Sequence, residues 1–154
     1  PGFETGWAPW KIMEGVVFRL GDCAFHGSYG LGFGGENDEF EVVVQEVSVP
    51  GWATTGAAYF SCKMFSTDSP TFAYDWFALK VFDTLGGGVI AVLPVWNNAE
   101  RGVWHQRRVE IPDVQRLQGH PLELALVAVT DYSLSTWWLI DDVQLVFACG
   151  GQVP

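Results

Sequence analysis

The sequence predicts an all-β domain built from two packed antiparallel sheets, and three observations carry that expectation. Hydrophobic residues fill 49% of 154 positions, ample for a core, yet they fall in many short runs rather than a few long amphipathic ones. Eighteen glycines and an aromatic content of 15% suit strands joined by turns. Strict alternation of apolar and polar residues recurs along the chain, the period of a strand with one face buried. The length fits one sandwich domain over residues 1–154, with no linker, internal repeat or low-complexity block.

Strand candidates open the chain at 2–10, 16–20 and 29–33. The acidic stretch Glu36–Glu41 reads as a solvated loop running into the next strand, with a metal role as the lesser alternative. Over 41–49, Val43, Gln45, Val47 and Val49 share one side, while Val42, Val44, Glu46 and Ser48 share the other; Pro50 and Gly51 end the run. Segment 57–65 is a further strand. From 74 to 83, Phe77, Leu79 and Val81 alternate with Ala78, Lys80 and Phe82; the glycines at 86–88 then supply a hairpin turn into a returning strand at 89–96. After Asn97 and Asn98 come strands at 104–111, 122–129 and 137–147, with a helical turn over 113–120. About ten strands of this kind suit two packed antiparallel sheets.

The net charge of −10 and isoelectric point near 4.5 argue against nucleic acid and against an anionic membrane surface, both of which select clustered Lys and Arg. No apolar run approaches the roughly 20 residues needed to span a bilayer. The chain opens at Pro1 without a signal-peptide pattern, and we expect it to be one domain of a larger multidomain protein. Cys23, Cys62 and Cys149 lack zinc spacing and allow at most one internal disulfide; Cys62, in an apolar run, is expected to be a buried thiol.

Several landmarks follow in a set order: Gly2-Phe3-Glu4-Thr5-Gly6-Trp7, Ala24 to Tyr29, Gln45 to Pro50, Asp75 to Leu79, Gly102-Val103-Trp104, and Leu139-Ile140-Asp141-Asp142-Val143-Gln144-Leu145. This series resembles the galactose-binding-like jelly rolls appended to bacterial secreted enzymes and surface proteins, a group that includes carbohydrate-binding modules and is similar in layout to MAM-type adhesion domains. The opening Phe-Glu-x-Gly and closing Ile-Asp-Asp-Val-x-Leu carry most of the likeness. Pro1 stands where such domains carry Asn. The resemblance implies a jelly-roll β-sandwich, a secreted or cell-surface location, and a structural calcium ion pinning the first strand to the last.

For that ion the resemblance points to Glu4, Asp141 and the Gly2 carbonyl, with Asp142 and Asp22 as further oxygens. Calcium takes six to eight hard oxygen ligands, so these groups suit it. Asp141 has the parity of Leu139, Val143 and Leu145, which in a regular strand points its carboxylate into the core. Lys11 is the only basic residue read as near either motif, and a buried carboxylate needs a partner. Alternatively, Glu4 and Asp142 face solvent while Asp141 accepts backbone amides.

Eight tryptophans exceed what such a core needs. Trp104 matches a core Trp of the resembled domains. Trp137 shares the parity of Leu139 and is read as buried, which leaves Trp138 on the opposite face. Aromatic faces beside a few polar groups are the usual apparatus for sugar recognition. Trp76 (beside Tyr74 and Asp75), Trp96 (beside Asn97, Asn98 and Glu100) and Trp138 are the chosen ligand-binding candidates; Trp7, Trp10 and Trp52 stay open. His26, His105 and His120 lie in separate segments, and no hydrolase, metalloprotease or phosphate-loop motif occurs, so no enzymatic activity is expected. Two readings remain: a carbohydrate-binding module with a polysaccharide or glycan partner, or a structural or adhesive domain that contacts protein through a flat apolar patch.

Overall fold

The computed structural model describes residues 3–69, 71–97 and 101–150. Among these, ten strands form two five-stranded antiparallel sheets, stacked as a jelly-roll β-sandwich. The front sheet runs β1 (Lys11–Glu14), β4 (Phe40–Ser48), β9 (Pro121–Val129), β6 (Trp76–Asp83) and β7 (Gly88–Trp96). The back sheet runs β2 (Phe18–Gly21), β3 (Tyr29–Gly34), β10 (Thr136–Ala148), β5 (Thr55–Ser66) and β8 (Trp104–Glu110). The helical turn is a short 3-10 helix, Val114–Leu117.

Period-two alternation turns one side of each strand inward. Val43, Leu79, Val81, Leu122, Leu124 and Leu126 come from the front sheet and meet Leu31, Phe33, Phe60, Met64 and Ile140 from the back. Phe77 packs against Phe33, Phe60 and Trp138, with ring centroids 5.3, 5.5 and 6.4 Å away. Fully burying each such side chain stabilises the fold by roughly 1.5–3 kcal/mol. Cys62 is buried in this core as expected, and burial pushes its thiol up to about 12; all three cysteines are unpaired.

Four expectations are corrected. The segment from Phe3 to Pro9 forms turns, and the first strand begins only at Lys11. Glu41 is not solvated: it shares the inward parity of Val43 and is 2% exposed. Trp104 is half-buried on the outer face of the back sheet, against Phe25 at 5.6 Å, rather than in the core.

The fourth concerns β10, whose parity is reversed over its first half. Trp138 is 0% exposed in the core, and Trp137 lies outside at 36%. Ile140 pairs with the core residue Cys62 and Asp141 with Ser61, but the next pair is Gln144 with Tyr59. The extra residue is a β-bulge at Asp142 and Val143, with Asp142 at φ 50°. A bulge shifts side-chain parity, so Val143 and Leu145 point inward on odd numbers while Trp138 and Ile140 do so on even ones.

Candidate functional site

The outer face of the front sheet carries a second apolar layer. Val44, Ala125 and Val127 are buried there, with Val42, Trp76, Phe82 and Val129 packed against them. β9 accounts for this, since Ala125 and Val127 alternate with the core leucines, making both of its faces apolar. The cross-strand register places Phe40 opposite Val129, Val129 opposite Trp76, and Trp76 opposite Trp96. Directly opposed residues on one face hold their Cβ atoms about 4.5–5.5 Å apart. Two of the three ligand-binding candidates, Trp76 and Trp96, are therefore neighbours in a row with Val129 and Phe40 across one end of the sheet, beside the buried Ala78, Val44, Ala125 and Val127. Trp96 is 45% exposed and Phe40 53%, and Lys80 Nζ lies 4.9 Å from the Trp76 ring centroid. Trp138, the third candidate, is sealed in the core and offers no face to a ligand. Trp10 is also buried, Trp7 packs on the core, and Trp52 is exposed away from this row.

A buried polar network holds the ends of β6 and β7 beneath the two tryptophans. Asp75 precedes Trp76 and Asn97 follows Trp96; both are 0% exposed, so neither meets a ligand as a hydrogen-bonding neighbour. Asn97 Nδ2 donates to Asp68 Oδ2 at 2.8 Å and to Asp75 Oδ2 at 3.3 Å, while Asp75 also accepts from the Asp131 amide and the Thr136 hydroxyl. Arg101 donates to the carbonyls of Ser66, Asp68 and Asn97. Burial raises the Asp75 carboxyl above the usual range and the neighbouring Asp68 adds to it, against the Thr136 and Asp131 hydrogen bonds. Asn98 and Glu100 lie outside the described residues.

The second region lies on the back sheet, where the loop following β2 folds over β10. Asp141 points to the outer face, opposite Ser61, and not into the core. It is nonetheless 0% exposed because residues 25 and 26 cover it, their amides donating to its Oδ2 at 3.0 and 2.9 Å. The backbone-amide alternative for Asp141 thus holds for one oxygen. Oδ1 is buried without a hydrogen-bond partner in the protein. Glu4, which is exposed, accepts from the amides of Ser28 and Tyr29 at 2.9–3.1 Å, and Asp142 accepts from His26 Nδ1. Gly27, at φ 76°, lies in the left-handed region that favours glycine, and a Cβ there would push on the Glu4 carboxylate, meeting Oε1 at 2.5 Å.

Arg19, missed in the sequence, also anchors the first segment. Its Nε donates to the Phe3 carbonyl at 2.6 Å and its Nη2 to the Glu4 carbonyl at 2.7 Å, with the guanidinium 3.4 Å from the Tyr29 ring centroid. Its position in β2, two strand residues before the loop, gave no signal, because the contact with the N-terminal segment is made only in the folded chain. Among the described residues no three His, Cys, Asp or Glu side chains cluster as a metal cage. The carboxylates of Glu4 and Asp141 nevertheless supply hard oxygens, and the orphaned Asp141 Oδ1 is the kind of oxygen a calcium ion takes. Gly2 lies outside the described residues.

No family model matches the sequence, and no curated protein is similar to it. The fold, by contrast, is that of carbohydrate-binding modules. TmCBM61, solved with β-1,4-galactotriose, superposes at TM-score 0.66 and 23% identity over 96% of this chain and 95% of that one. The C-terminal family 22 module of Clostridium thermocellum Xyn10B gives 0.60 and 15% identity over 99% and 93%. A Xyn10B structure joining a family 22 module to its GH10 module, complexed with xylohexaose, gives 0.58 and 17% over 99% of this chain and 28% of that one. Modules of families 16, 28 and 4 share the fold at 11–18% identity.

Proposed function

We propose that this domain is a non-catalytic carbohydrate-binding module that takes a polysaccharide or glycan chain along the outer face of its front sheet. The observation that carries the reading is the cross-strand pair Trp76 and Trp96, continued through Val129 to Phe40, on the apolar outer face of the front sheet. Indole faces stack on the apolar C–H faces of sugar rings, and Lys80 is placed to meet hydroxyls. The likeness to modules solved with galactotriose and xylohexaose supports the ligand class, and the Xyn10B example, a module joined to a GH10 module, supports attachment to a larger multidomain protein. A structural calcium ion held by Glu4 and Asp141 belongs to the same reading, supported by the unpartnered Asp141 oxygen.

The apolar run of Val42, Val92, Val127 and Val129 on that face favours a second reading, adhesion to a protein partner. Retention on insoluble polysaccharides, with soluble glycans as competitors, separates the two. Under the first reading the domain is retained, and Trp96→Ala lowers affinity at least about tenfold while its melting temperature holds. No retention on any polysaccharide tested would leave adhesion as the standing explanation.

A further inference from the structure

We infer a second ligand site on the opposite face of the sandwich, a polar pocket on the back sheet shaped for a neutral sugar unit. The pocket has a volume of about 380 Å³ and is lined by Tyr59, Ser61, Gln106, Arg108, Asp142 and Gln144. That volume lies at the small end of the roughly 300–1,000 Å³ typical of small-molecule sites. Strand pairing builds it: Arg108, Tyr59 and Gln144 stand in one row across β8, β5 and β10, with Gln106 and Ser61 in the next. The β10 bulge swings Asp142 into the same space. Bulges are a common means of re-aiming a side chain at a site.

Ser61 points to a ligand. It is 1% exposed, lies in the pocket wall, and its hydroxyl has no hydrogen-bond partner in the protein. Leaving a buried hydroxyl unpaired costs about 1–3 kcal/mol, a cost that a bound hydroxyl or ring oxygen would remove. The rest of the lining selects the class. Two arginines line the pocket, and two carboxylates balance them: Arg108 is engaged with Glu110 at 2.5 Å and with the Tyr59 hydroxyl at 2.8 Å, while Asp142 shares the lining with Arg107, whose buried Nε has no protein partner and is a donor for a ligand oxygen. The glutamine amides and the serine hydroxyl both donate and accept and the Asp142 carboxylate accepts, as a polyhydroxylated ring requires. An apolar guest would leave Ser61, Gln106 and Gln144 desolvated and unpaired.

This site is independent of the Trp76–Trp96 face, since the two sheets with their core of about 10 Å separate them. A single domain would then hold two glycan chains, one on each side, and cross-link them.

The test is an NMR titration of the ¹⁵N-labelled domain with β-1,4-galactotriose, cellohexaose and xylohexaose. At least one probe should shift the amides of Ser61, Gln106 and Gln144, in Trp96→Ala as in the parent. The double variant Gln106→Ala/Gln144→Ala, which alters exposed side chains only, should weaken that response about tenfold and leave the Trp96 indole response intact. Ser61→Ala should also weaken it without lowering the melting temperature, because the hydroxyl has no protein bond to lose. Back-sheet amides that stay fixed with all three probes, or that respond equally in the double variant, would overturn the site. Loss of only the Trp96 response would instead count against the front-face reading.

Discussion

At the scale of single residues, Glu41 has the clearest consequence. Burial pushes its carboxyl from 4.5 up to about 7, the Gly34 amide it accepts from opposes the shift, and the charge of Glu39 adds to it. A raised carboxyl pKa means that the folded protein prefers the protonated form. The stabilisation is full below the unfolded value and is lost as pH rises through about 7, at a cost of order 3 kcal/mol. Denaturant melts should therefore show stability falling between about pH 5 and 8, with that component absent in Glu41→Gln. Equal pH slopes in both proteins would refute the assignment. The parity of Glu41 with Val43 was legible in the sequence, but the run of acids around it suggested a solvated loop. Arg19 is the opposite case, legible only in three dimensions. Arg19→Met should lose two carbonyl bonds and the Tyr29 contact, costing about 2 kcal/mol and several degrees of melting temperature.

At the scale of elements, β10 shows why alternation locates a strand more easily than it orients one. Extrapolating inward parity back from Val143 and Leu145 exchanges Trp137 with Trp138, because the bulge at Asp142 lies between and leaves no mark in the apolar pattern. The structural assignment has a direct check. Trp138→Ala should cost about 3–5 kcal/mol, and Trp137→Ala much less, in thermal or urea unfolding. The front-face tryptophans were legible as individual candidates but not as a pair, since the register that opposes Trp76 to Trp96 depends on the whole hairpin. Asn97 secures that hairpin end by bonding both Asp68 and Asp75. Asn97→Ala leaves two buried carboxyls without their shared donor; it should destabilise by about 1–3 kcal/mol and weaken polysaccharide retention together.

At the scale of the whole molecule, the sandwich was legible because period two is a local property repeated in every strand. The coupling of the chain ends was legible only as a resemblance, because it runs through backbone amides that any sequence carries. Glu4 and Asp141 are far apart in sequence yet seat on one loop, the former on the amides of residues 28 and 29 and the latter on those of residues 25 and 26. That loop therefore ties the first segment to the last strand, and a cation at the free Asp141 oxygen would tighten the same junction. An ion that binds only the folded chain stabilises it by about 2.7 kcal/mol at a hundredfold excess over its dissociation constant. For a domain of this size that is a rise of roughly 5–10 °C on adding calcium to protein stripped with EDTA. Asp141→Asn should abolish the rise, and Glu4→Gln should reduce it. Identical melts with and without calcium, together with metal analysis showing no bound ion in the untreated protein, would assign the clamp to Arg19 and the loop amides alone.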